Sequence, residues 1–206
     1  MVIGLTGKFC TGKNRIGSIM ETHGWDVIEV DHLGHGALIN ARGSLVDFFG
    51  DSILSEDGTI SRKKLGDLVF DSPAKLAFLE SVLHPVMKTM CHDLIKDRDK
   101  KTYPCGTVLN AAILHKMGLN SVCDSILYVK ASVFLRFFRA KSTRAMTTLD
   151  FLRRERVQHN ITPEYFFDVI PLYVIMNNHG DTAIKRQLES YYKSIGLPLG
   201  DEDGKE

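Results

Sequence analysis

Gly7, Gly12 and Lys13 are the first residues whose types and spacing point to chemistry. They sit in the stretch Ile3-Gly-Leu-Thr-Gly-Lys-Phe-Cys-Thr-Gly-Lys-Asn-Arg15, with four residues between the two loop glycines. A short apolar run, Val2 to Leu5, precedes them, and a helical pattern beginning near Ile16 follows. Strand, glycine loop and helix, in that order, is the setting a phosphate-binding loop requires. Glycine lets the backbone turn so that successive N–H groups face one anion, and the following helix adds the partial positive charge of its N-terminus. Lys13 then reaches the β- and γ-phosphates of a nucleotide, with Phe9, Cys10 and Thr11 supplying the backbone between the glycines. The plainer alternative is a glycine turn with a surface lysine. Such loops place Ser or Thr after the lysine, because that hydroxyl ligates Mg²⁺. This chain has Asn14 there. An amide oxygen also ligates Mg²⁺, directly or through water, on a longer arm and with different geometry. Thr11 is a hydroxyl nearby, but it belongs to the loop.

Asp31 is the next candidate. It follows Trp25 to Val30, which reads as a second strand. A carboxylate just past the carboxyl end of a strand faces the crevice in which open α/β sheets bind ligands. Asp is also a favoured helix cap, and spacing alone leaves both roles open. Strand alternation puts Glu29 on the same face as Asp31, where it either assists the aspartate or holds a structural cation.

Residues 136–156 carry seven cations, Arg136, Arg139, Lys141, Arg144, Arg153, Arg154 and Arg156, against the anions Asp150 and Glu155. A solvated helix face accounts for some of them. Arginine also offers a planar fork that binds phosphate bidentately. A flap carrying these residues would close over a phosphoryl group, exclude water and balance charge. An RNA-contacting patch is the other use of such a cluster, and it would make binding strongly salt-dependent. Asn177-Asn178-His179-Gly180 follows the last apolar run, where it reads either as a cradle for a nucleotide base or as a plain turn.

The elements that must position these groups follow from pattern. Helices are expected over 16–23, 44–50, 61–70 with Ser61 as cap, 73–96 and 180–195. In the long helix, Leu76, Leu79, Leu83, Val86 and Met90 recur at helical spacing and form one buried face. His84-Pro85 lies within it, so a bend is expected there, and His84 reads either as a residue at that kink or as an ordinary core or surface histidine. Asp57-Gly58 marks a turn, and 97–103 a solvated charged linker. The apolar runs 106–114, 125–130 and 172–176 read as buried strands. Strands alternating with helices give an α/β fold, a three-layer parallel sheet with helices on both faces.

The chain has 206 residues, 44% of them hydrophobic and 25% charged, which suits one soluble globular domain, or one domain with a mobile flap. A net charge of +1 gives no global pull towards nucleic acid or membrane. Cys10, Cys91, Cys105 and Cys123 show no C-x-x-C spacing, which argues against a zinc site or disulfide framework and for a reducing cytoplasm. Cys10 reads as a small loop residue or an oxidisable one. No apolar stretch approaches ~18 residues, and no signal peptide is expected, since loop chemistry begins at residue 6. The polar tail 198–206 is expected to be disordered.

Taken in order, these signals resemble the dephospho-coenzyme A kinases, P-loop kinases of nucleoside-monophosphate-kinase type. The resemblance runs from Val2 to about Tyr192. It rests on I-G-L-T-G-K-F-C-T-G-K at 3–13, V-I-E-V-D at 27–31, F-G-D-S-I-L-S-E-D-G-T-I-S-R-K-K-L at 49–65, V-F-D-S at 69–72, L-E-S-V-L-H-P-V at 79–86, the arginines of 136–144 and V-I-M-N-N-H-G at 174–180. The pairing of 49–65 with the L-H-P stretch is the specific part. The resemblance implies a P-loop NTP hydrolase-like fold with a core of 1–31, 104–135 and 168–197, an acceptor-binding helical region at 32–100 and a lid at 136–160. It implies transfer of phosphate from ATP, with Mg²⁺, to the ribose 3′-hydroxyl of dephospho-coenzyme A, by a monomer or weak homo-oligomer. Asp31 becomes the candidate base, and Lys13 with the backbone of residues 9–14 holds the ATP phosphates. Arg62 and His84 fall in the acceptor region, Arg139 and Arg144 in or beside the lid, and Asn177 or Asn178 near adenine. The family's apolar strand continues into Pro-Leu-Leu-Phe-Glu. Here the residues are Ala112-Ile113-Leu114-His115-Lys116, so Lys116 offers a cation near the acceptor. Two other uses of the same parts are a kinase for another small acceptor, such as a nucleoside monophosphate, and a catalytically weak nucleotide- or coenzyme-binding homologue.

Overall fold

The computed structural model describes residues 1–70, 72–166 and 170–197. The tail 198–206 lies outside the described residues. Five strands, β1 (Val2–Thr6), β2 (Trp25–Glu29), β3 (Gly106–Asn110), β4 (Ser125–Lys130) and β5 (Leu172–Met176), form one sheet in the order β2-β3-β1-β4-β5. β1 lies at its centre, parallel to β3 on one side and to β4 on the other, and β4 is parallel to β5. The helices are α1 (Lys13–Thr22), α2 (Gly34–Asn40), α3 (Arg42–Phe49), α4 (Arg62–Phe70), α5 (Pro73–Asp97), α6 (Val133–Arg144), α7 (Thr148–Val157) and α8 (Asp181–Ser194).

The chain separates into two compact units, Met1–Ile28 with Arg98–Glu206, and Glu29–Asp97. In the first, Ile3, Leu5, Val108, Leu127 and Val129 of the sheet pack with Ile16, Ile19 and Met20 of α1 and with Ile184, Leu188, Tyr191 and Tyr192 of α8. Burial of near-continuous apolar strands on both faces is what an all-parallel sheet demands. In the second unit Leu38, Ala41, Leu45, Ile53, Leu65 and Val69 form a separate core, against which Phe78, Leu79, Val82, Leu83 and Val86 of α5 pack. Helix α5 runs 25 residues with Pro85 inside it. Ser61 Oγ accepts from the Lys64 N–H at 3.3 Å, as expected of a cap.

Three boundaries near the loop and Asp31 differ from expectation, each for a local reason. Helix α1 starts at Lys13 rather than near Ile16, because Gly12 takes a left-handed conformation (φ 92) and its carbonyl already accepts from the Ile16 N–H at 3.1 Å. Strand β2 ends at Glu29, and Val30–Leu33 is one turn of 3₁₀ helix, so Glu29 and Asp31 do not share a strand face. Strand β3 stops at Asn110 instead of 114. The last rung is the Ala111 N–H to the Leu5 carbonyl at 3.0 Å, and Ala111 and Leu114 stay buried in the turn that follows. An apolar run by itself cannot separate a buried turn from a buried strand. Helix α2 carries no sequence signal strong enough to have been foreseen.

Candidate active site

The glycine loop leaves the carboxyl end of β1, and the close approach of neighbouring atoms, backbone at Gly7 and a side chain at Gly12, explains its glycines. A Cβ on Gly7 (φ +141) would lie 2.3 Å from the Val129 carbonyl oxygen, and one on Gly12 would lie 2.2 Å from Asn177 Nδ2. Only glycine fits both the torsion and the space. Cys10 is in the left-handed region as well (φ 57), and it is a free thiol.

The loop is cross-braced by side chains on its carbonyls. Lys13 Nζ donates to the Gly7 carbonyl at 2.9 Å and the Lys8 carbonyl at 3.3 Å. Thr11 Oγ1 donates to the Lys8 carbonyl at 2.8 Å. Arg139, from α6, donates to the carbonyls of Cys10 (3.4 Å), Thr11 (3.3 Å) and Asn177 (3.0 Å), and Asn177 Nδ2 donates to the Thr11 carbonyl at 2.8 Å. Asn177 is 5% exposed, so its amide is a built part of the loop's wall. Asn178 Oδ1 accepts from the Ser132 N–H at 2.9 Å and ties the loop after β5 to the start of α6. Arg139 and Asn177 thus converge on the loop, although each lies more than a hundred residues from it in sequence.

Phe9 has a different place from the one its position suggests. Its N–H donates to Gln158 Oε1 at 2.7 Å, and its ring packs at 5.1 Å from Phe151 in a small core with Ala140. Beside it stands an ion cluster. Glu155 of α7 accepts from Lys8 Nζ at 2.8 Å and from Arg136 at 2.7 and 3.0 Å. Arg136 is 4% exposed and lies over the Phe9 ring. Burial alone would push the Glu155 carboxyl up, but the hydrogen bonds from Arg136 and Lys8 outweigh it and hold the group below its ordinary value of 4.5. The α6–α7 hairpin therefore contacts the glycine loop through Lys8, Phe9 and Arg139. Neither Glu155 nor Gln158 was singled out by sequence. Two acids, Asp150 and Glu155, among seven cations were the available signal. Arg144, in the last turn of α6, is exposed. A cleft of about 230 Å³, lined by Lys8, Thr11, Lys130, Arg136 and Glu164 among others, opens beside the loop.

The remaining expected residues are placed as follows. Asp31 lies exposed in the Val30–Leu33 turn. It caps neither that turn nor α2, whose preceding residues are Glu29 and Leu33, so the capping role is removed. Arg62 opens α4 and is exposed, and His84 is half-buried within α5. Lys116 is exposed after β3. Asn14 Oδ1 accepts from Asn110 Nδ2 at 3.3 Å. Among the described residues no group of three or more His, Cys, Asp or Glu gathers to hold a metal ion, and no helix is long and apolar enough to cross a membrane.

Residues 1–178 match the family model described as dephospho-CoA kinase. The chain belongs to the dephospho-CoA kinase family. A relative of that name from Borreliella burgdorferi is 29% identical over 201 residues, covering 95% of this chain and 94% of its own. Two solved structures share the fold. One, from Thermus thermophilus, has a TM-score of 0.77 at 23% identity, covering 95% of this chain and 97% of that one. The other, dephospho-CoA kinase from Campylobacter jejuni, has a TM-score of 0.67 at 18% identity, covering 94% and 96%. The family match spans both the glycine loop and the Asn177 turn, so the convergence of the two belongs to the family portion of the chain.

Proposed function

We propose that this chain transfers the γ-phosphoryl group of ATP to the ribose 3′-hydroxyl of dephospho-coenzyme A, giving coenzyme A, in the cytoplasm and as a monomer or weak homo-oligomer. The observation that carries this reading is the family match over residues 1–178. The glycine loop supports it, since its torsions and close packing suit a tight anion cradle.

In this reading Lys13 exchanges the Gly7 and Lys8 carbonyls for the nucleotide's phosphates. The N–H groups of residues 10–14 line the triphosphate, while the Phe9 N–H stays with Gln158. Arg139 and Asn177 hold the loop's outer carbonyls and flank the nucleotide. Arg144, on the exposed end of α6, is free to reach a phosphate without leaving a buried partner. Asn14 would hold Mg²⁺ through its amide oxygen, a donor that suits a hard cation. When bound, that ion neutralises charge on the β- and γ-oxygens. Asp31 accepts the proton of the attacking hydroxyl, and Arg62, His84 and Lys116 bind the acceptor. Such a site contributes chiefly positioning and charge stabilisation.

A coupled assay for ADP release, with dephospho-coenzyme A or AMP as acceptor, tests the reading. Turnover is expected with the first and not the second. Turnover of AMP alone would assign another acceptor, and ATP binding with no product at high Mg²⁺ would leave a binding protein. Asp31→Asn is expected to keep ATP binding and lower kcat by about 10²–10⁴-fold. Near-normal turnover of that variant rules out the base.

A further inference from the structure

We infer that Asn110 is a second protein residue of the metal-facing site, and that with Asn14 it makes this site an uncharged pair of amides. The inference deepens the kinase reading and rests on it. Asn110 is the last residue of β3 and is 2% exposed. In register it lies beside Leu5, two residues before the loop's first glycine. Its Nδ2 reaches across 96 positions of sequence to Asn14 Oδ1 at 3.3 Å. Asn14 stands in the first turn of α1 with its side chain exposed. A buried polar side chain at the end of a central parallel strand is thus aimed at the residue that follows the loop lysine.

Phosphoryl-transfer sites built on such a loop hold Mg²⁺ with a hydroxyl and an acid. The pair here supplies neither. An amide oxygen has two lone pairs, so Asn14 Oδ1 can accept from Asn110 and still face a cation. The bond selects which end of the Asn14 amide is presented, and Asn110 acts as a positioning residue one step behind the ligand. Hard-cation affinity follows the charge of the ligand set. A neutral pair would give the protein little hold on the metal by itself, so metal binding would depend on the nucleotide's phosphates, with Asn14 as the protein ligand and Asn110 positioning it.

Mn²⁺ binding to the full-length chain tests this, read from the electron paramagnetic resonance signal of free Mn²⁺, with ADP binding followed separately by calorimetry. The wild type is expected to bind Mn²⁺ with ADP present and not without it. Asn110→Asp adds one carboxylate at unchanged size, and is expected to tighten Mn²⁺ in the ADP complex by about tenfold or more and to create binding without ADP. Asn14→Asp, on an exposed helix turn, is expected to do the same and serves if the buried variant does not fold. Asn14→Ala is expected to weaken Mn²⁺ in the ADP complex by about tenfold. Mn²⁺ dissociation within twofold of wild type in the aspartate variants would overturn the inference, as would wild-type Mn²⁺ binding that ignores ADP. Failure of the wild type to bind ADP would instead overturn the kinase reading, and calorimetry distinguishes the two.

Discussion

Glu155→Ala is expected to destabilise the protein by about 2–3 kcal/mol. The carboxylate lies between Lys8 and a nearly buried Arg136, whose side chain is 5% exposed. Removing one partner of a buried pair costs about 3–5 kcal/mol, because the other charge stays desolvated. Glu155 is itself 24% exposed and Lys8 21%, so solvent screens part of the loss and lowers the figure. In a chain of this length each kcal/mol moves Tm by about 2–4 °C, so a fall of about 5–10 °C is expected in calorimetry. A double-mutant cycle with Arg136→Met, which keeps much of the volume and removes the charge, isolates the pair and should return at least about 1 kcal/mol of coupling. The pH dependence has a definite sign. The folded Glu155 carboxyl is held below its ordinary value of 4.5, so the unfolded chain takes up the proton first as pH falls. Stability from this group is present above about that value and is lost as pH drops through the folded pKa. Glu155→Gln should therefore flatten the acid limb of the stability curve. A coupling under about 0.5 kcal/mol, together with an unchanged acid limb, would refute the reasoning.

Lys13→Ala should weaken ATP binding and lower turnover together, measured by calorimetry and steady-state kinetics, since in the proposed mechanism it meets phosphate in both ground and transition states. Gly7→Ala forces a Cβ to 2.3 Å from a backbone carbonyl and should cost about 2–3 kcal/mol in chemical denaturation. Asn177→Ala strips a buried donor from the Thr11 carbonyl and an acceptor from Arg139, and should cost about 1–3 kcal/mol and raise the KM for ATP.

Much of this protein is local and was open to reading from sequence. The Gly7-x4-Gly12-Lys13 spacing fixes a loop because only glycine takes the torsions at its two ends. The alternation of apolar runs with helical periods fixes a parallel sheet, because strands buried on both faces have no other arrangement. Asp31 stands out by sequence as either a cleft carboxylate or a helix cap; whether it caps a helix depends on which residue precedes the turn, and only the backbone shows that to be Glu29. Other features arise from long-range contact and leave no periodic trace. Glu155 and Gln158 look like members of a charged surface helix until α7 is laid against residues 8 and 9. Arg139 falls in or beside the expected lid by sequence, and its bonds to the loop carbonyls and to Asn177 are visible only in the fold. The Asn14–Asn110 bond spans two segments that meet only because β3 pairs with β1. Sequence by itself determined which backbone could cradle an anion. The tertiary structure decided what braces that cradle, because hydrogen bonds between distant side chains depend on strand order and helix placement rather than on spacing along the chain.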